Sequence, residues 1–207
     1  MTFYMSITLF VFGLFFWMHV GQSEGPSVEQ PKSYEVCLSQ EEMKLYRFIN
    51  AYRKESGLNA VPLSKSLSYV AKTHCRDLLA NHADLEDGCN SHSWSMKGEW
   101  SGCCYTADHK AATCMWDKPA ELTNYPGQGF EIAFGSSSKE FERFPATAQS
   151  ALDGWKTSVH HNAVIVNRDI WKEVKWNAVG VGIEKGVATV WFGRETDPDG
   201  KPKLCGE

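Results

Sequence analysis

Trp176-Asn177-Ala178-Val179-Gly180-Val181-Gly182-Ile183 decides the fold. Ala178, Gly180 and Gly182 alternate with Val179, Val181 and Ile183, which is the two-residue period of a strand. One face of that strand is almost bare, and small residues there let another element pack close to the backbone. The strand is predicted from Val174 to Ile183. Glu184-Lys185-Gly186 then turns the chain, and Val187 to Phe192 returns as the second arm of a hairpin.

Upstream, the period changes from two to 3.6. Ser39-Gln40-Glu41-Glu42 is a capping box, and Leu45, Phe48, Ile49 and Tyr52 make one apolar helix face that stops at Gly57. A second helix starts at Ser64 or Ser66, with Leu67, Val70, Ala71, His74, Cys75 and Leu78 on one stripe. His74 reads as a core or boundary histidine in preference to a ligand. Cys75 reads equally as a buried thiol or half of a disulfide. A third helix, with Pro145 in its first turn, buries Ala148, Ala151, Leu152 and Trp155. Helices separated by strands, with the last two strands adjacent, point to an α/β fold, a three-layer α-β-α sandwich. Ser95 to Gln128 has no clean period. It reads as a disulfide-tied loop in which Trp100 and Trp116 substitute for core in preference to forming a partner surface.

The 207 residues suit one domain. Residues 1–23 hold no Lys, Arg, Asp or Glu, and Ile7 to Met18 is almost wholly apolar. An apolar core of about 12 residues is too short for a bilayer, which takes roughly 20. Residues 1–23 are therefore expected to be a cleaved signal peptide, 24–37 an N-terminal arm and 38–207 the folded domain. No other segment is apolar enough to cross a membrane. The formal net charge of −4 argues against a nucleic-acid partner, which needs a basic face. The seven cysteines are Cys37, Cys75, Cys89, Cys103, Cys104, Cys114 and Cys205, and secretion would let them form disulfides. Their spacing fits no zinc ribbon or finger. The number is odd, so at least one thiol is free or pairs between chains. Cys103 and Cys104 are neighbours and are expected to take different partners, with Cys89 and Cys114 as candidates.

Three stretches carry the chemistry. The first is Asn90-Ser91-His92-Ser93-Trp94 and the second Gly129-Phe130-Glu131-Ile132-Ala133. The third runs from Trp155 through Ser158 and His161 to Ile165 and Asn167. A carboxylate between Phe130 and Ile132 is costly unless a donor meets it, and His92 and His161 are the best candidates. His160 competes with His161. Together with Asn50 and Arg53 on the first helix, these stretches resemble the CAP superfamily (cysteine-rich secretory proteins, antigen 5, pathogenesis-related 1). The third stretch is closest to the bacterial-type SCP pattern W-x-x-S-x-x-H-x-x-x-I-x-N. The spacing of that pattern selects His161 over His160, in a helix-to-loop transition. The resemblance implies the same α-β-α sandwich, here with a cysteine-rich loop insertion, and a cleft lined by His92, Glu131 and His161. Where many eukaryotic relatives carry a second Glu, this chain has Ser158.

Two neutral imidazoles suit zinc or copper. His92 and His161 would hold a divalent metal such as Zn2+ weakly, with Glu131 orienting one ring. The favoured function is secreted, extracellular binding of a ligand, either a lipid or sterol or a protein. The alternative is a protease-like hydrolase using Ser158 as nucleophile, His161 as base and Glu131 to orient it, although Ser158 lacks a G-x-S-x-G elbow.

Overall fold

The hairpin read from the sequence is the middle of the molecule. The computed structural model describes residues 31–207. The expected signal peptide at 1–23 and the start of the arm lie outside the described residues. In chain order the elements are strand β1 (Cys37–Leu38), helices α1 (Gln40–Glu55), α2 (Lys65–Asn81), α3 (Ala112–Trp116) and α4 (Lys118–Leu122), strand β2 (Gly129–Phe134), helices α5 (Ala148–Thr157) and α6 (Val159–Ile165), and strands β3 (Ala178–Glu184), β4 (Val187–Gly193) and β5 (Lys203–Leu204). The main sheet is antiparallel in the order β2-β4-β3, and β1 pairs with β5 in a small parallel sheet.

Register places Glu131, Trp191 and Gly180 side by side across the three strands. This is the bare face, and α2 lies against it. A Cβ added at Gly182 would stand 2.6 Å from the carbonyl carbon of Ala71, and one at Gly180 would meet the backbone of Leu67 and Ser68. Side chains there would hold the helix off the sheet. The other face presents Phe130, Ile132, Val179, Val181, Val190 and Phe192 to Leu45 and Ile49 of α1 and to Leu152 and Trp155 of α5. The result is the expected sandwich, with α1 and α5 on one side of the sheet and α2 on the other.

Ser39 and Glu42 form the expected capping box at α1, and Ser64 is the residue that caps α2. Cys37 pairs with Cys205, Cys89 with Cys104, and Cys103 with Cys114. The adjacent cysteines thus take different partners, as expected. The Cys37–Cys205 bridge spans 168 residues of sequence and closes the domain end to end. Loop-closure entropy makes such a long loop worth about 5 kcal/mol. Cys75 is free and buried.

Several details differ from expectation. The Ser95–Gln128 stretch contains α3 and α4, and Trp94 bridges Cys103 just ahead of them. Tyr105, Ala112 and Met115 of this stretch join Trp94, Leu67 and Trp191 in a second core, with Trp100 and Trp116 packed partly buried against it, so the stretch does supply core. Helix α5 starts after Pro145 because Thr147 and Ser150 cap each other's backbone there. Strand β3 starts at Ala178, four residues later than read. The Val174 carbonyl is already taken by the Asn167 side chain and its N–H by Trp171, so neither is free for a ladder. No helix among the described residues is long and apolar enough to cross a membrane.

Candidate functional site

Glu131 is buried on the face of β2 that meets α2. Its Oε2 accepts from His92 Nδ1 at 2.8 Å, and its Oε1 accepts from His74 Nδ1 at 2.5 Å. The sequence reading offered His92 and His161 as its partners. The structure supplies His92 and, in place of His161, His74 from the buried stripe of α2. His74 is therefore core, as read, and also part of the site. Burial alone would raise the carboxyl of Glu131, but the charge and hydrogen bond of His74, with those of His92, outweigh it and hold the group down at about 2.

His92 sits in a tight turn. The Asn90 side chain accepts its backbone N–H, and Ser93 Oγ accepts the N–H groups of Asn90 and Tyr105. The carboxylate beside Nδ1 can only accept, so Nδ1 carries a proton and Nε2 turns elsewhere. His161 lies in the first turn of α6, which Ser158 caps by accepting the His161 backbone N–H at 3.5 Å. It is thus helical, where a transition to loop was expected. The His161 and His92 rings are 6.4 Å apart between centroids, at 63°. Burial, with the neighbouring charges of His92 and His160, pushes the His161 imidazole down to about 4. It is neutral at physiological pH.

These groups lie in a cleft of about 800 Å³. Its walls are largely apolar, with Met115 and Trp116 from α3, Phe130 and Ile132 from β2, Val164 from α6, and Trp171. Exposed Val159 and Ile170 stand at its margin. His160 also lines the cleft, but the ring facing His92 is that of His161. Among the described residues no group of three or more His, Cys, Asp or Glu side chains is arranged to hold a metal. Imidazole nitrogens such as those of His92 and His161 have the donor chemistry of zinc or copper ligands.

The family model of the cysteine-rich secretory protein family, CAP, matches residues 46–186. This chain belongs to the CAP family. No curated protein matches it. Among solved structures, it is similar to an extracellular protein containing a SCP domain from Bacillus anthracis str. Ames, with 17% identity, a TM-score of 0.51, and coverage of 75% of this chain and 40% of that one. It is also similar to a cysteine-rich secretory protein from Staphylococcus aureus subsp. aureus Mu50, with 14% identity, a TM-score of 0.47, and coverage of 81% and 40%. The chain thus spans about 40% of the length of each of these structures.

In this CAP protein the Asn50 and Arg53 pair braces the site from α1. Arg53 Nη1 donates to the Ile165 carbonyl at 2.5 Å and to Asn167 Oδ1 at 2.7 Å, which fastens the end of the helix that carries His161. Asn50 exchanges hydrogen bonds with both backbone groups of Val61. Ser158, His161 and Glu131 are not joined by side-chain hydrogen bonds: the Glu131 oxygens are taken by His74 and His92, and Ser158 Oγ is the helix cap. Tyr105 and His109 were missed from the sequence. The Tyr105 ring lies 5.1 Å from that of His92, and its hydroxyl meets His109 Nδ1 at 2.9 Å on the cleft wall. They fall in the stretch without a period, where no pattern marks them. For His74 a signal existed: a histidine on the stripe of α2, facing the bare side of the sheet, could have been matched to a strand carboxylate that needed a donor. A second cleft of about 630 Å³ is lined by basic residues interspersed with Glu35, Asp199 and Glu207, and two of its lysines are already paired, Lys72 with Glu42 and Lys65 with Glu35.

Proposed function

We propose that this CAP protein is a secreted binding protein whose cleft takes a small lipid-like ligand. The apolar body of the ligand lies along Trp116, Phe130 and Trp171, and its polar end meets His92 and His161. The observation that carries this reading is the pairing of two imidazoles lacking ring hydrogen bonds to one another with an apolar cleft of about 800 Å³. Exposed Val159 and Ile170 at its margin favour an apolar occupant that would cover them. Three disulfides suit an oxidising, extracellular setting.

A divalent metal, zinc first, is the co-ligand that the two imidazoles would hold. It would supply a Lewis-acid contact for an oxygen of the ligand, while Glu131 orients His92. Calorimetric titration with zinc tests the polar end, comparing wild type with the His92→Ala, His161→Ala double variant. The expected result is weak binding in the wild type that the double variant loses, and unchanged binding would rule the site out. A melting-temperature screen with fatty acids and sterols tests the apolar part. The expected shift is lost in Phe130→Asp, and a panel without any shift would leave a protein partner as the better reading.

A further inference from the structure

His74 is wholly buried, and both of its ring nitrogens face acceptors. Nδ1 lies 2.5 Å from Glu131 Oε1 and Nε2 lies 2.9 Å from the Ser93 carbonyl oxygen. A neutral imidazole has one N–H and would turn a lone pair on one of these oxygens. The Ser93 carbonyl cannot donate, so Nε2 must. Glu131 accepts from His92 through its other oxygen, and its carboxyl is held well below the usual range, so Oε1 has no proton to give. Nδ1 therefore donates as well.

The surroundings suit a cation. The His74 ring stacks on the Trp94 indole at 4.4 Å and 6°, and Trp191 stands edge-on at 6.3 Å. The charged groups facing this spot are Glu131 from β2, Asp77 from α2 itself, and Lys118 from α4. Lys118 Nζ lies 5.6 Å from the Trp94 centroid. Asp77 is occupied by the backbone N–H and hydroxyl of Ser95, and Lys118 by Glu121. Glu131 is thus the direct counter-ion.

We infer that His74 is a positioning residue that donates from both ring nitrogens, pins Glu131 in place, and thereby fixes which nitrogen of His92 faces the cleft. The relay runs from the Ser93 carbonyl through His74 and Glu131 to His92, and it ties the turn that carries His92 back to α2 and the sheet. The opposite charges of His74 and Glu131 cancel, which leaves the cleft floor with imidazole acceptors and no net charge. Such a floor selects a metal ion or a hydrogen-bond donor over an anion.

Nitrogen-15 NMR of the histidine rings in the full chain, without ligand, tests this at pH 7.5. The expected spectrum has one ring with hydrogen on both nitrogens, lost in His74→Phe, and a second, lost in His92→Ala, with hydrogen on Nδ1 alone. A His74 ring with one bare nitrogen would overturn the inference. In His74→Phe, which keeps the stack on Trp94, His92 is expected to populate both tautomers. An unchanged His92 pattern there would overturn it as well. If that variant fails to fold, the wild-type spectrum decides alone. None of these readings needs a ligand, so they stand apart from the binding proposal.

Discussion

Replacing Glu131 with Gln keeps the shape of the side chain and removes its charge. Both carboxylate oxygens now accept, from His74 at 2.5 Å and from His92 at 2.8 Å. An amide has one acceptor oxygen, so whichever way Gln turns, its NH2 confronts a ring N–H. One imidazole must give up that proton, and buried His74 loses its counter-charge. The size of the effect can be reached in two ways. The Glu131 carboxyl is held at about 2 against an ordinary 4.5, which corresponds to about 3 kcal/mol. Removing one partner of a buried ion pair costs about 3–5 kcal/mol. The two agree, so Glu131→Gln should lose about 3–5 kcal/mol in urea unfolding followed by tryptophan fluorescence, with the disulfides intact. The pH dependence has a definite sign. Glu131 lies below its unfolded value, so its contribution is present above pH 4.5 and is lost as pH falls towards 2. For His74, burial works against the charged form but the charge and hydrogen bond of Glu131 win, so its value is raised. Its contribution is complete below 6.5 and is lost as pH rises through the folded value. The gap between wild type and variant should therefore be widest between pH 4.5 and 6.5. A loss below about 1 kcal/mol in that window, or a gap that fails to narrow by pH 3, would refute the buried pair.

Two further outcomes are expected. Gly182→Ala would set a methyl group 2.6 Å from the Ala71 carbonyl carbon and force α2 off the sheet, which should cost about 1–3 kcal/mol in thermal unfolding. An unchanged melting temperature would contradict the close packing of α2. His161 is held down at about 4, first by burial and then by the charges of His92 and His160, while the unfolded chain takes up its proton near 6.5. Stability should therefore fall as pH drops from 6.5 to 4, by about 1–2 kcal/mol once partial exposure is allowed for. His161→Gln should flatten that slope, and an equal slope in both proteins would place the His161 ring in solvent.

Much of this was legible because it is local or periodic. The alternation from Ala178 to Ile183 marks a strand with one bare face, and the structure puts α2 on that face. The stripe from Leu67 to Leu78 is buried throughout, including His74 and Cys75. Glu131 between two apolar residues was legible as a carboxylate in need of a donor. The identity of the second donor was not, because it depends on the register that sets Glu131 beside Trp191 and beneath α2. Tyr105 and His109 were hidden for a related reason: the disulfides and short helices that place them leave no period in the chain.

By itself, then, the order of residues determined the hairpin, the helices and their caps, and a family pattern that names His92, Glu131 and His161. Those features follow from neighbours a few positions apart, whose spacing sets which face is buried. Only the tertiary structure decided that His74 is the partner of Glu131, that Cys75 is the unpaired thiol, and that Ser158 caps a helix. Each of these turns on which distant groups come within hydrogen-bonding or bonding distance, and that depends on how closely the packed layers approach one another.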